Sequence, residues 1–147
     1  GINEKIFINT KGQISEGTVC NVFFVRKNMI YTPQLSCGLL PGILREYIME
    51  RFQVTETIIY PDELMYYEEC FVTNSLMGVM PVRQLGNICF PHRAKADEVR
   101  EVYEKEKMSL AQMMIEETEP VDKISKYTGY AIDKLKEIAA AMGQTLV

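Results

Sequence analysis

The stretch Gln13-Ile14-Ser15-Glu16-Gly17-Thr18-Val19-Cys20-Asn21-Val22-Phe23-Phe24-Val25 places a single carboxylate between two β-type runs. The residues before it, from Phe7 to Ile14, predict a hairpin, and the run from Asn21 to Val25 predicts a buried strand. An acid inside apolar strands needs a partner, because burying a lone carboxylate costs several kcal/mol. Glu16 therefore ends its strand in water, pairs with Arg45, or belongs to a functional site.

The size and charge of the chain exclude several classes of protein. With 147 residues, 47% of them apolar, it is long enough for one domain, alone or with a helical appendage. A net charge of −4 gives no electrostatic reason to bind nucleic acid or an anionic membrane. No apolar run reaches the roughly 18 residues of a membrane span, and no leader pattern precedes Gly1, so we expect a cytoplasmic protein.

The cysteines and the single histidine do not predict a metal site. The four cysteines lie far apart without a C-x-x-C pair, and His92 is the one histidine in the sequence. Zinc sites need ligands at closer, characteristic spacings. We expect free thiols, most of them buried, as is usual in an intracellular protein.

The order of elements predicts a mixed α/β (α+β) fold followed by a helical tail. Strand-like runs and turns fill the first ninety residues, including strands predicted at Val54 to Tyr60 and at Glu69 to Asn74. A helix is predicted between them and the first strands, at Ile43 to Phe52, with Ile43 on its buried face. After Pro91, helix formers dominate from Ala94 to Glu117, and two shorter helices follow, separated by the C-cap signal Thr128-Gly129. We place the boundary near Met108, which gives a mixed domain at 1–108 and a helical tail at 109–147.

Three separated motifs agree with one known family. They are Ser15-Glu16-Gly17 with Asn21 five positions after Glu16, the loop Leu40-Pro41-Gly42-Ile43 with Arg45, and the loop Thr73-Asn74-Ser75-Leu76 before Met80-Pro81-Val82. Their order and spacing resemble the C-terminal half of the fold-type IV pyridoxal-phosphate enzymes. That group contains branched-chain aminotransferases, D-amino acid aminotransferases and 4-amino-4-deoxychorismate lyases. The resemblance spans residues 2–103 and implies the family's C-terminal pseudo-barrel domain.

The resemblance implies a role for each motif in binding pyridoxal 5′-phosphate. Glu16 would keep the ring nitrogen protonated, as an electron-accepting cofactor requires. Gly42 and Ile43 would offer backbone amides to the phosphate at a helix start. Ser75 would add a hydroxyl and Leu76 an amide. Asn21 resembles a residue that orients the strand of Glu16.

Three other residues in or near these motifs are not assigned to the cofactor. Arg45 is interpreted as structural because it lies on the first helix turn. Met77 and Met80 would line a substrate pocket or pack in the core.

Within the family, residues 72–82 most resemble the aminodeoxychorismate lyases, which would release pyruvate and leave 4-aminobenzoate, a folate precursor. The branched-chain enzymes carry a threonine after the Gly-Ile pair, whereas this sequence has Leu44. The missing hydroxyl also implies weaker cofactor binding, so the resemblance leaves retention of the cofactor open. A branched-chain or D-amino acid aminotransferase is the alternative, and a homodimer acting on a small-molecule substrate is implied in each case.

The catalytic lysine of the family is expected upstream of Gly1. It lies on a strand well before the glutamate, and Lys5 and Lys11 are the only lysines before Glu16. Both belong to the predicted hairpin, so we assign no catalytic residue within this chain. Without that lysine the covalent chemistry of the family is not available, and the chain alone is expected to be inactive. A non-catalytic domain with an oligomerising tail is therefore a further alternative.

The tail has a weaker resemblance of its own. Residues 121–135 resemble the degenerate helix-turn-helix segment found at the C-termini of some transposase-like nucleases. Over the wider segment 116–137, six acidic residues outnumber four basic ones, which disfavours contact with phosphates. We expect a packing or oligomerising helical hairpin rather than binding to nucleic acid.

Overall fold

The computed structural model describes residues 5–17, 20–39, 42–74 and 78–146. Its strands are β1 (Ile6–Ile8), β2 (Ile14–Gly17), β3 (Asn21–Arg26), β4 (Met29–Pro33), β5 (Val54–Thr57), β6 (Glu69–Asn74), β7 (Gly78–Val82), β8 (Gln84–Leu85) and β9 (Ile88–Cys89). Its α-helices are α1 (Ile43–Arg51), α2 (Ala94–Glu116), α3 (Val121–Thr128) and α4 (Ile132–Ala141). Short 3₁₀ helices occupy Leu35–Cys37 and Pro61–Tyr66. The mixed α/β fold agrees with the prediction.

A mixed five-stranded sheet forms the centre of the fold, in the order β5-β4-β3-β6-β7. Strands β4 and β5 are parallel, and the other neighbouring pairs are antiparallel. The parallel pair requires a crossover, which α1 provides. Two hairpins, β1–β2 and β8–β9, accompany the sheet, and the first is the hairpin that the sequence predicts.

One face of the sheet carries an apolar cluster. Its buried members are Ile14, Cys20, Val22, Phe24, Ile59, Leu64, Cys70, Val72 and Phe90. Alternation along β3 and β6 explains why Val22, Phe24, Cys70 and Val72 share this face. The cluster joins the first hairpin to the sheet, because Ile14 on β2 belongs to it.

The opposite face is held by stacked aromatic rings and by helices. Phe23 and Phe71 are directly opposite in register, and their rings stack with centroids 4.9 Å apart. Helix α1 packs against β6 on the sheet. Its buried side chains are Leu44, Arg45 and Ile48.

Two local predictions are corrected by the structure. Ile43 was expected on the buried face of its helix, but it is 81% exposed because the buried positions begin one residue later, at Leu44. The strand predicted from Val54 to Tyr60 ends at Thr57, because the chain then turns toward the proline that starts the second 3₁₀ helix.

The chain consists of two compact units, Gly1–Arg100 and Glu101–Val147. The second unit is helical, and its core is Ala111, Met114, Ile115, Ile124, Leu135, Ile138 and Ala139. Gly129 ends α3 with φ +77°, the left-handed conformation that the Thr128-Gly129 pair predicts. The predicted change of character near Met108 falls inside α2. No helix in the described ranges has the length and apolarity that crossing a membrane requires.

Candidate functional site

The sheet topology brings three chain segments to one end of the sheet. Strand β3 is antiparallel to both β4 and β6, so its first residue lies beside the last residues of those strands. Asn21, the first residue of β3, is in register with Thr73, the penultimate residue of β6. Helix α1 follows β4 and begins near this end, because a crossover helix starts where its parallel strand finishes.

A hydrogen bond ties the start of α1 to β3. The backbone amide of Gly42 donates to Oδ1 of Asn21 at 3.2 Å, and Asn21 is 6% exposed. The carbonyl of Gly42 accepts from the amide of Glu46 at 3.1 Å, so Gly42 is the N-cap residue of the helix. The motifs around Asn21 and Gly42, 21 residues apart in sequence, are therefore in direct contact.

Glycine at position 42 is required by close approach rather than by its backbone angles. Its φ is −69° and its ψ is 155°, values open to any residue. A Cβ atom built at Gly42 would lie 2.6 Å from Oδ1 of Asn21. Because real Cβ contacts are longer than 3 Å, any larger residue would displace the buried carboxamide.

The first turn of α1 presents backbone amides at the positive end of the helix dipole. The amides of the first turn have no intrahelical acceptor, and the N-cap residue, Gly42, makes no side-chain capping hydrogen bond. Ile43 is exposed while Leu44 is buried, so the turn lies at the protein surface with one side against the core. Such a turn is suited to binding an anion.

Glu16 precedes Asn21 by five positions in the chain. It is half-buried on β2, and the amide of the next residue, Gly17, donates to the carbonyl of Cys20 at 2.8 Å. This hydrogen bond connects the strand of Glu16 to the residue that precedes Asn21. The guanidinium of Arg45 pairs with Glu56 at 2.9 Å, which supports the structural interpretation of Arg45.

A buried hydroxyl at this end was not predicted from the sequence. Thr73 is 1% exposed, and among the described residues its Oγ1 has no hydrogen-bond partner. Because residues opposite each other in an antiparallel pair point to the same face, Thr73 and Asn21 share one face of the sheet. The strand register reveals this neighbour, whereas the motif Thr73-Asn74-Ser75-Leu76 implied roles for Ser75 and Leu76 and none for Thr73.

Part of the predicted site cannot be placed. Ser75, Leu76 and Met77 lie outside the described residues, between Asn74 at the end of β6 and Gly78 at the start of β7. Met80 packs against the apolar cluster, which favours the core interpretation of this residue. Cys20, Cys37 and Cys70 are buried, whereas Cys89 is exposed.

Comparison with known proteins gives the family. The model of the amino-transferase class IV family matches residues 1–85, more than half of the chain. This chain belongs to the class IV aminotransferase family.

Its relatives include more than one activity. The aminodeoxychorismate lyase of Bacillus subtilis is 32% identical over 90 residues, which cover 58% of this chain and 31% of that protein. The branched-chain-amino-acid aminotransferase of Escherichia coli (strain K12) is 30% identical over 93 residues, 60% of this chain and 30% of that protein. The chain thus spans about a third of the length of these relatives.

Solved structures agree with the fold. The branched-chain amino acid aminotransferase from Escherichia coli superposes with a TM-score of 0.65 and 25% identity. The match covers 70% of this chain and 38% of that one. The mixed sheet and its helices are thus those of a class IV aminotransferase.

The described residues fit the cofactor of this family, pyridoxal 5′-phosphate. The first turn of α1 suits its phosphate, and the half-buried carboxylate of Glu16 suits a protonated ring nitrogen. The unpartnered Thr73 hydroxyl adds hydrogen-bonding capacity at the same end. Within the residues that the structure describes, no group of three or more metal-ligating side chains is found.

Proposed function

We propose that this chain forms the cofactor-binding half of a pyridoxal-phosphate-dependent lyase of the aminodeoxychorismate type. The observation that carries this proposal is the hydrogen bond between Asn21 and Gly42, because it joins the motif containing Glu16 to the helix start that would bind phosphate. The proposal includes the cytoplasmic location, the homodimer and the supply of 4-aminobenzoate for folate that the resemblance implies.

Phosphate binding would fall to the first turn of α1. The amide of Gly42 already donates to Asn21, so we assign the phosphate to the amides of Ile43 and Leu44 instead. Gly42 contributes by allowing the helix start to approach β3. In this scheme Ser75 adds a hydroxyl and Leu76 an amide from the loop that follows β6.

Glu16 would hold a proton on the ring nitrogen of the cofactor. A carboxylate favours the protonated form of a neighbouring pyridine because the opposite charges attract each other. Pyridoxal phosphate, when bound, supplies an electron sink for a bond broken next to the substrate amino group. Asn21, five positions after Glu16 in the chain, holds the start of α1 against β3.

Two features favour the lyase over an aminotransferase. The sequence of residues 72–82 resembles that of the lyases, and Leu44 occupies the position where the branched-chain enzymes have a threonine. The buried Leu44 side chain cannot donate a hydroxyl to phosphate. The substrate would be aminodeoxychorismate and the products 4-aminobenzoate and pyruvate. A branched-chain or D-amino acid aminotransferase is the alternative, and known relatives of both activities match the chain.

Cofactor binding is tested on the full chain with pyridoxamine 5′-phosphate, which needs no lysine. We expect binding by calorimetry, and an affinity about tenfold lower in Glu16→Gln, equivalent to about 1.4 kcal/mol. The absorbance of the bound ring is expected to show a lower pKa for its nitrogen in that variant. Glu50→Gln, at an exposed acid on α1, is the matched control. No binding to the wild-type chain would contradict the proposal.

The reaction is tested after adding a segment of a class IV relative that carries the lysine. The lyase predicts 4-aminobenzoate formation from aminodeoxychorismate, whereas the aminotransferase predicts amino transfer to 2-oxo acids. Amino transfer without formation of 4-aminobenzoate would show an aminotransferase instead of a lyase. Neither product, from a complex shown to bind pyridoxamine 5′-phosphate, would leave a non-catalytic role.

A non-catalytic domain that associates through its helical unit is the second candidate. It is favoured by the separate core of that unit and by the exposed Leu110 and Met113, three residues apart on α2. The test is sedimentation of the full chain with Leu110→Gln and Met113→Gln. A lower mass than the wild type would support association through this face, and an unchanged mass would exclude it.

A further inference from the structure

Asn21 and Gly42 fit closely together in the first unit. Asn21 is buried at the start of β3, and its Oδ1 accepts the Gly42 amide at 3.2 Å. The same oxygen lies 2.6 Å from where a Cβ at position 42 would be. Each residue therefore restricts the other. The Asn21 carboxamide fits only beside a residue without a Cβ atom, and the backbone amide of Gly42 needs Oδ1 of Asn21 as its acceptor.

This contact fixes the position of the first turn of α1. Both polar backbone atoms of Gly42 are engaged, its nitrogen with Asn21 and its oxygen with the amide of Glu46 at 3.1 Å. The amides of the next residues, Ile43 and Leu44, follow directly and have no intrahelical acceptors. Their direction in space is thus set by a side chain that belongs to the sheet.

We propose that Asn21 is a positioning residue for phosphate: it holds the start of α1 so that the amides of Ile43 and Leu44 face the anion. This inference rests on the proposed function and assigns Asn21 to the helix start rather than to the strand of Glu16. The anion that it serves is a phosphate monoester, the group that the proposed cofactor carries.

A second observation points to a polar ligand at this end. Thr73 lies opposite Asn21 on the same face, is 1% exposed, and has no partner for Oγ1 among the described residues. A buried hydroxyl without a partner is unfavourable, so a polar group arriving at this end would be stabilised by it. The helix start and the Thr73 hydroxyl are on two elements that Asn21 connects.

The test compares pyridoxamine 5′-phosphate with pyridoxamine, which lacks the phosphate, on full-length variants. We expect Asn21→Ala to lower the affinity for the phosphorylated compound about tenfold and to leave that for pyridoxamine unchanged. Gly42→Ala is expected to match Asn21→Ala, because its methyl group displaces the same carboxamide. The double variant is expected to be no worse than either single one. Asn87→Ala, in an exposed turn, is the control.

Hydrogen exchange of the Gly42 amide, followed by NMR, separates this inference from the proposed function. Exchange is expected to accelerate at least tenfold in Asn21→Ala and to stay slow in Asn21→Asp, which keeps an acceptor oxygen. Equal affinity of the wild type and Asn21→Ala for pyridoxamine 5′-phosphate, or unchanged exchange at Gly42, would overturn the inference. If the wild type fails to bind pyridoxamine 5′-phosphate while exchange is accelerated in Asn21→Ala, the proposed function is overturned. Asn21 would then hold the helix start in place without serving a phosphate.

Discussion

The carboxylate of Glu69, at the start of β6, caps helix α2 through the amide of Ala96. Its Oε1 accepts that amide at 3.1 Å, and both oxygens accept the amide of Lys95 at 3.0 and 3.1 Å. Glu69 is 5% exposed, so a charge that would be costly to bury alone is neutralised by the positive end of a helix. A strand residue thus determines where a helix 25 residues later begins.

Removal of this cap is expected to destabilise the protein. Glu69→Gln should lower the free energy of unfolding by about 2 kcal/mol, since buried hydrogen bonds to charged groups contribute about 1.5–3 kcal/mol. Urea denaturation measures the change. Glu98→Gln, which removes an exposed partner of Lys95, is the control and should change stability by less than about 1 kcal/mol. Equal effects of the two substitutions would contradict the capping role.

Two buried threonines are expected to respond oppositely to valine. Thr32 donates through Oγ1 to the carbonyl of Val22 at 2.8 Å, whereas Thr73 has no partner for its hydroxyl among the described residues. Thr32→Val should therefore cost about 1 kcal/mol, and Thr73→Val should be neutral or stabilising by about 1 kcal/mol. The measurement is urea unfolding of the protein without ligand. A loss of stability in Thr73→Val would show that its hydroxyl has a partner.

The ion pair between Arg45 and Glu56 is expected to matter because only one partner is buried. Arg45 is 3% exposed and Glu56 is 40% exposed, with Nη2 and Oε2 2.9 Å apart. Glu56→Gln should lower the free energy of unfolding by about 1–2 kcal/mol, less than a fully buried pair, because water still reaches the carboxylate. Glu50→Gln removes an exposed pair with Arg51 and should be close to neutral. Thermal and urea unfolding would show the difference, and equal effects would contradict it.

Stability is expected to fall with pH above about 9, partly because of Cys70. Burial raises the pKa of its thiol well above the ordinary 9.0, and the neighbouring Cys20 raises it further. The folded state therefore keeps this proton when the unfolded state loses it, so the contribution is complete below pH 9.0 and is lost as pH rises. One such group changes the free energy of unfolding by up to about 1.4 kcal/mol per pH unit.

The measurement is urea unfolding at several pH values between 9.0 and 10.0, where any contribution from the tyrosines with raised pKa is shared by the wild type and the cysteine variants. Cys70→Ala should be less stable at neutral pH but lose stability less steeply in this interval. Cys89→Ala, at an exposed thiol, should keep the wild-type slope. Identical slopes in all three proteins would exclude the Cys70 contribution.

Most of the secondary structure could be predicted because it depends on local patterns. The strands at Asn21 and Glu69 follow from apolar runs between turn signals, and Gly129 marks a helix end. The helix at Ile43 was predicted correctly in extent, but its exposed first residue was not. The buried face depends on what α1 packs against, which the 3.6-residue period does not specify.

The contacts that could not be predicted from the sequence join segments that are far apart in the chain. The sequence pattern points to Glu16 as the acid that needs a partner, yet among the described residues the deeply buried carboxylate is that of Glu69, whose partners lie 26 and 27 residues further on. The pairing of Asn21 with Gly42 likewise joins two motifs that local patterns treat separately. The roles of Ser75 and Leu76 stay predictions, because these residues lie outside the described ranges.

The crossover from β4 through α1 to β5 has a consequence for how this family can change during evolution. Parallel pairing of the two strands obliges the chain to travel back along the sheet between them, so the direction of the polypeptide decides which end of α1 meets Asn21. Substitutions can tune the affinity there or change the substrate. Moving the positive end of this helix to another place would require a different order of strands and helices. The location of the proposed anion site is therefore inherited together with the topology.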